Sequence, residues 1–196
     1  MKRHLCAAVL IAATWLTGCN YTRPAITNLS QLGSDDVIVV GRVKLTPPLD
    51  ESEQQKGGGI VIVPGGFKNK VRLLTGEKWR DVSPPLSTGD YANNMHVNLN
   101  ETFYASMPRQ TFHLLLGEIL MRVDNSRSDS AFLPGGFKVS VRDDDRAVYI
   151  GTLHYHRDEF FRIGGVEVED HYEQALGKFQ KQFGAGTKLR KSLAKK

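Results

Sequence analysis

The sequence predicts a mainly β fold, an internally duplicated β-sandwich with one C-terminal amphipathic helix. Three observations lead there. Short apolar runs alternate with Gly-, Pro- and Asn-containing breaks, the pattern of a two-sheet β domain. The pentapeptide PGGFK occurs at 64–68 and again at 134–138. A helical period stands out at 170–183.

The chain opens with MKRHLCAAVLIAATWLTGC. Lys2 and Arg3 precede an apolar run over 5–16, too short for the roughly 20 residues that span a bilayer but suited to the core of an export signal. The run ends in Leu16-Thr17-Gly18-Cys19, which resembles the lipobox of bacterial lipoproteins. That resemblance implies cleavage between Gly18 and Cys19 and a diacylglyceryl group on the Cys19 thiol, with acylation of the new amino end. It also implies retention at the outer membrane, because Asn20 stands where inner-membrane lipoproteins carry Asp. Cys6 would leave with the signal, so a mature chain from Cys19 has no thiol to pair, and Cys-based zinc or nucleophilic chemistry is excluded.

Residues 19–36 are polar with Pro24 and read as a lipidated tether; the sandwich is expected over 37–184. Strands are expected at 37–45, 60–63, 95–99, 101–105, 113–121, 131–133, 139–142, 147–155 and 160–168. The stretches containing Pro47-Pro48 through Gly57-Gly58-Gly59, and 81–90 with Pro84-Pro85, read as loops. The repeat extends beyond its five letters: 64–72 and 134–142 agree at seven positions of nine. Fixed-order similarity of this kind marks duplication. Pro-Gly-Gly reads as a turn in each copy, with Phe67 and Phe137 opening strands. Arg72 and Arg142 read as charged strand ends. Gly41, Gly117 and Gly151 fall inside apolar runs, where a glycine signals a bulge or a close backbone approach. Asp143-Asp144-Asp145 reads as the hairpin turn joining 139–142 to 147–155. A Pro-Gly turn before an aromatic strand resembles the transthyretin-like and related Ig-like modules of secreted proteins, which supports the sandwich.

In the helix, Tyr172, Ala175, Leu176, Phe179 and Phe183 share one face, and Gly184 follows as a stop. Beyond it, 185–196 reads as a basic tail. From Lys178 onward there are seven basic residues and no acid, against a balance of −4 over 19–177. Lys188, Arg190, Lys191, Lys195 and Lys196 are therefore candidate contacts to an acidic lipid or wall polymer. Nucleic acid is not an expected partner at an envelope address.

Two groupings of histidines and carboxylates are candidates for metal chemistry. His154 and His156, at i and i+2, share one face of a strand and are candidate ligands for zinc or copper, with Asp158 or His171 completing the set. The Asp143–145 run lacks the further oxygen ligands of a calcium loop. No G-x-S-x-G, S-x-x-K placement, H-E-x-x-H or P-loop pattern is present, so no enzyme activity and no cofactor are expected. The expected function is that of a lipid-anchored, non-enzymatic accessory or scaffold component of an envelope assembly, with other envelope proteins as partners. The alternative is a small-ligand or metal-binding periplasmic lipoprotein using the His154/His156 face.

Overall fold

A computed structural model describes residues 21–54, 69–83, 87, 89–122, 128–158 and 162–196. Gly18, Cys19, the strand expected at 60–63 and the first PGGFK copy lie outside these residues. The described strands are β1 (Tyr21–Arg23), β2 (Asp36–Thr46), β3 (Lys70–Gly76), β4 (Asn93–Asn98), β5 (Thr102–Pro108), β6 (Phe112–Arg122), β7 (Ser128–Val139), β8 (Ala147–Arg157), β9 (Ile163–Glu169) and β10 (Arg190–Lys191). A helix α1 spans Tyr172–Phe183.

The strands form two mixed sheets. Sheet A runs β1-β4-β3-β6-β7; sheet B runs β10-β8-β2-β5, with β9 also on β8. Alternation explains how they pack. Along β2, Val37, Val39, Val43 and Leu45 face sheet A, while Ile38, Val40, Arg42, Lys44 and Thr46 take the opposite face. Sheet A returns Val71, Leu73, Met95, Val97, Leu114, Ile119, Leu133 and Phe137 into the same core. Tyr155 crosses that core, donating its buried hydroxyl to the Pro134 carbonyl at 3.1 Å, and its burial pushes the phenol pKa well up.

The amphipathic face expected of α1 packs on the outer face of sheet B. Phe179, Phe183 and Ala175 bury against Ile38, Val40, Ala147 and Tyr149. Gly184 caps the helix at φ 90°, a conformation that favours glycine. On the outside of sheet A, Val82 and Tyr91 cover Leu74, Leu115 and Leu116.

Several expectations need correction. The second Pro-Gly-Gly is not a turn. Pro134–Gly136 lies inside β7, where Leu114 pairs with Phe137 and Leu116 with Pro134, leaving Gly135 and Gly136 in a bulge opposite Leu115. A Cβ on Gly135 would stand 2.1 Å from the Leu115 carbonyl oxygen, so only glycine fits there. Bulges and turns draw on the same freedom of glycine, and here the partner strand decides which forms. The duplication does not appear as matched placement: Val71 and Arg72 lie in β3, whereas Val141 and Arg142 lie beyond the end of β7. Nor does the Asp143–145 turn close a hairpin, because it carries the chain from β7 in sheet A to β8 in sheet B.

Both ends of the described chain are built into the body. In the stretch read as a tether, β1 pairs in parallel with β4, and Ile26 is 2% exposed beneath α1 and β2. In the stretch read as a tail, β10 pairs with β8 and Leu189 and Ala194 are buried. Arg190 is bound to the buried carboxylate of Asp145 at 2.5 Å. Apolar residues at Ile26, Leu189 and Ala194 drive both dockings.

The glycines expected to mark bulges or close approaches do so. Gly41 sits at the β2/β8 register shift, where a Cβ would meet Ile150 and Phe103 at 2.8 Å. Gly117 lies against Leu133. Gly151 has φ +98°.

Candidate metal centre

Gly151 decides which way the histidines point. Before it, Val148 and Ile150 face the core and Ala147 and Tyr149 face outward; after it, Leu153 and Tyr155 face the core. The extra residue reverses the alternation, so Thr152, His154 and His156 continue the outer face that Tyr149 began. The helix covers only the first half of that face. The second half carries the two imidazoles, stacked with ring centroids 4.1 Å apart.

β9 brings carboxylates to them. Its antiparallel register sets Glu167 opposite His154 and Glu169 opposite Thr152. His154 Nδ1 lies 2.6 Å from Glu169 Oε1 and 3.4 Å from Glu167 Oε1, and His156 Nε2 lies 2.9 Å from Glu167 Oε1. His154, His156 and Glu167 each offer a donor atom within 4.8 Å of the others. On the other flank, β2 places Lys44 and Thr46 beside His154 and His156. The Thr46 hydroxyl meets His154 Nε2 at 2.8 Å, and the Lys44 ammonium lies 3.4 Å from Nδ1.

The electrostatics of the cluster are balanced among these groups. Burial pushes the Glu169 carboxyl up, but the His154 hydrogen bond and the charges of His154, Lys44 and His171 hold it below the usual range. His154 is 6% exposed, whereas His156 and Glu167 are open to solvent. The set offers two imidazole nitrogens and a carboxylate oxygen, a donor set that suits zinc or copper. Within the cluster Nδ1–H donates to Glu169 at 2.6 Å and the neutral ring accepts the Thr46 hydroxyl at Nε2. A metal at Nδ1 would displace that proton, and Nε2–H would then donate to Thr46 as an outer partner.

Of the four residues read from the sequence, the structure brings His154 and His156 together and sets His171 at the border. The His171 Nδ1 lies 3.7 Å from Glu169 Oε2 and 3.3 Å from the Thr152 hydroxyl. Asp158 does not join them. β8 ends at Arg157 after a register shift, and the Asp158 carboxylate accepts the Arg162 N–H at 2.9 Å. Glu167, Glu169, Lys44 and Thr46 escaped the sequence reading. The alternation Val166-Glu167-Val168-Glu169 was visible, but its pairing with β8 was not.

The five candidate cations for an anionic surface separate into groups. Arg190 is committed to Asp145, and Lys191 pairs with Asp170 at 2.8 Å while lying 5.0 Å from the centre of the Tyr172 ring. Lys188 lines a cleft with Arg142, Asp144 and Arg146. Lys195 bridges Lys138 backbone to backbone, and the Lys196 ammonium lies 5.7 Å from the Phe137 ring centre. Among the described residues no helix is long and apolar enough to cross a membrane. Compared with protein-family models, curated proteins and solved structures, the chain matches none.

Proposed function

We propose that this chain is a lipid-anchored, non-enzymatic protein of the bacterial envelope, an accessory or scaffold component of an envelope assembly held at the outer membrane. One observation carries the reading: Leu16-Thr17-Gly18-Cys19 closes an apolar run and is followed, two residues after Cys19, by the first strand of the sandwich. A lipid on Cys19 therefore holds a folded domain at the bilayer without a long flexible arm. Acyl chains contribute about 0.8 kcal/mol per buried CH₂, and more than one chain makes such anchoring stable. At the sheet edges β5 is already bridged by Ala25 and the end of β7 by Lys195, which among the described residues leaves the part of β7 ahead of Lys138 as edge backbone for a partner strand.

The test is capture of the membrane-anchored protein after crosslinking in its own cells, with mass spectrometry of what it carries. A single envelope complex in near-fixed proportion supports the scaffold reading. Recovery of lipid alone overturns it.

The convergence of His154, His156 and Glu167 favours a second reading, that of a zinc- or copper-binding envelope lipoprotein. Metal analysis of the purified protein separates the two, since a scaffold role needs no stoichiometric metal.

A further inference from the structure

We propose that the end of sheet A carrying Tyr21 and Trp79 docks on the phospholipid surface that holds the Cys19 acyl chains; this rests on acylation at Cys19. Strand direction puts these residues at one end. β1 runs parallel to β4 with Tyr21 opposite Asn93, so the chain ahead of Tyr21 leaves beside the start of β4. β3 runs the opposite way and ends there at Gly76, releasing the loop that holds Trp79. β6 begins at that end with Phe112 and His113, and β7 finishes there with Lys138 and Val139. Cys19 precedes Tyr21 by two residues, which span at most about 7 Å when extended. The lipid must therefore emerge at this end.

What the end displays suits a bilayer surface. Tyr21 is 55% and Trp79 52% exposed, two of the three large hydrophobic side chains that stand out among the described residues. Both ring types favour the boundary between headgroups and acyl chains. Neither is loose. Arg23 lies 4.7 Å from the Tyr21 ring centre, and the Trp79 indole rests 3.5 Å from the point where a Cβ on Gly136 would stand. Exposed Lys78, Arg80, Lys138, Lys195 and Lys196 add cations at the same end, partly offset by Glu77, Asp81 and Asp90 on the loop. A basic rim around aromatic side chains complements anionic headgroups.

Trp15 lies ahead of Cys19, so Trp79 is the sole tryptophan of a chain cut at that cysteine. The lipidated protein, purified from its own membranes, is reconstituted into phosphatidylethanolamine–phosphatidylglycerol vesicles with and without lipids brominated near the top of the acyl chain. Docking predicts a blue-shifted Trp79 emission quenched at least twofold by bromine. Emission that ignores bromine while remaining open to aqueous iodide overturns the inference. A second variant, Trp79→Phe with Glu101→Trp, moves the reporter to the β4–β5 turn at the opposite end. Quenching there equal to that at Trp79 also overturns it, because the domain would then have no fixed face toward the bilayer. The mass of the Cys19 peptide is read in the same samples. An unmodified cysteine removes the anchor reading itself, whereas an acylated one with unquenched Trp79 removes only the docking.

Discussion

His154 and His156 point to the same side of sheet B as Tyr149 because Gly151, at φ +98°, inserts one residue into β8. Without that insertion, period-two alternation would turn both imidazoles into the core and bring Leu153 and Tyr155 to the surface. Gly151 thus positions the site, although it contributes no ligand.

Gly151→Ala is expected to destabilise the fold by about 3 kcal/mol, from a positive φ forced on a residue with a side chain together with overpacking. The new Cβ would stand 2.6 Å from Val168 Cγ1 and 3.2 Å from the Glu169 carbonyl, so β9 would have to move. Urea unfolding reads the cost. An unchanged midpoint would mean that β8 keeps its face reversal by some other residue.

Asp145 is a second point where the chain departs from its local appearance. Burial pushes its carboxyl up, but the Arg190 guanidinium, the Arg142 N–H and their charges hold it below the usual range. A depressed carboxyl contributes stability above its unfolded pKa of about 3.9, and that stability is lost as pH falls through the lower folded value. Asp145→Asn should therefore cost about 3 kcal/mol at neutral pH, because Arg190 is left without its counter-charge. The gap between variant and parent should close below about pH 4. Unfolding curves at pH 7 and pH 2.5 check both statements.

These residues show where the sequence was legible. Strands β2, β4, β6 and β8 and helix α1 fall within a few residues of expectation, because each carries its own apolar period. The Pro-Gly-Gly at Pro134 was misread because a turn and a bulge ask the same thing of glycine, and only Leu115 on the neighbouring strand distinguishes them. The basic run at 185–196 hid its role for a related reason: Asp145, which holds Arg190, lies 45 residues away. His154 and His156 were readable from i, i+2 spacing, whereas Glu167 and Glu169 reach them through the register of β9. Register is set by tertiary pairing.

His96 gives the second pH prediction. On the outer face of sheet A, burial and the charges of Arg72 and Lys70 lower its pKa, against a smaller opposing pull from Glu118. The unfolded chain takes up a proton near pH 6.5 that the folded chain resists until lower pH. Stability should fall as pH drops from about 6.5 toward the folded value, and His96→Gln should flatten that part of the profile. Tm measured at pH 7.5 and pH 5 for parent and variant isolates the contribution. Parallel profiles would mean that His96 protonates equally in both states.

The metal cluster permits a sharper test than removing a histidine alone. If zinc or copper sits between His154 Nδ1, His156 Nε2 and Glu167, His156→Ala should abolish stoichiometric uptake by calorimetric titration. Thr46→Val touches no ligand atom, yet it removes the hydroxyl 2.8 Å from His154 Nε2 and should weaken binding by about 10–100-fold, the usual scale for an outer partner. Lys44→Met should act in the opposite direction, because the ammonium 3.4 Å from Nδ1 repels a cation. Uptake must also weaken as pH falls, since protons compete for both imidazoles. A metal that binds as well to His156→Ala as to the parent would exclude the site. Lys44, Glu169, His154, Glu167 and His156 would then form a chain of hydrogen bonds and ion pairs whose work is to fasten β9 to β8 and β2.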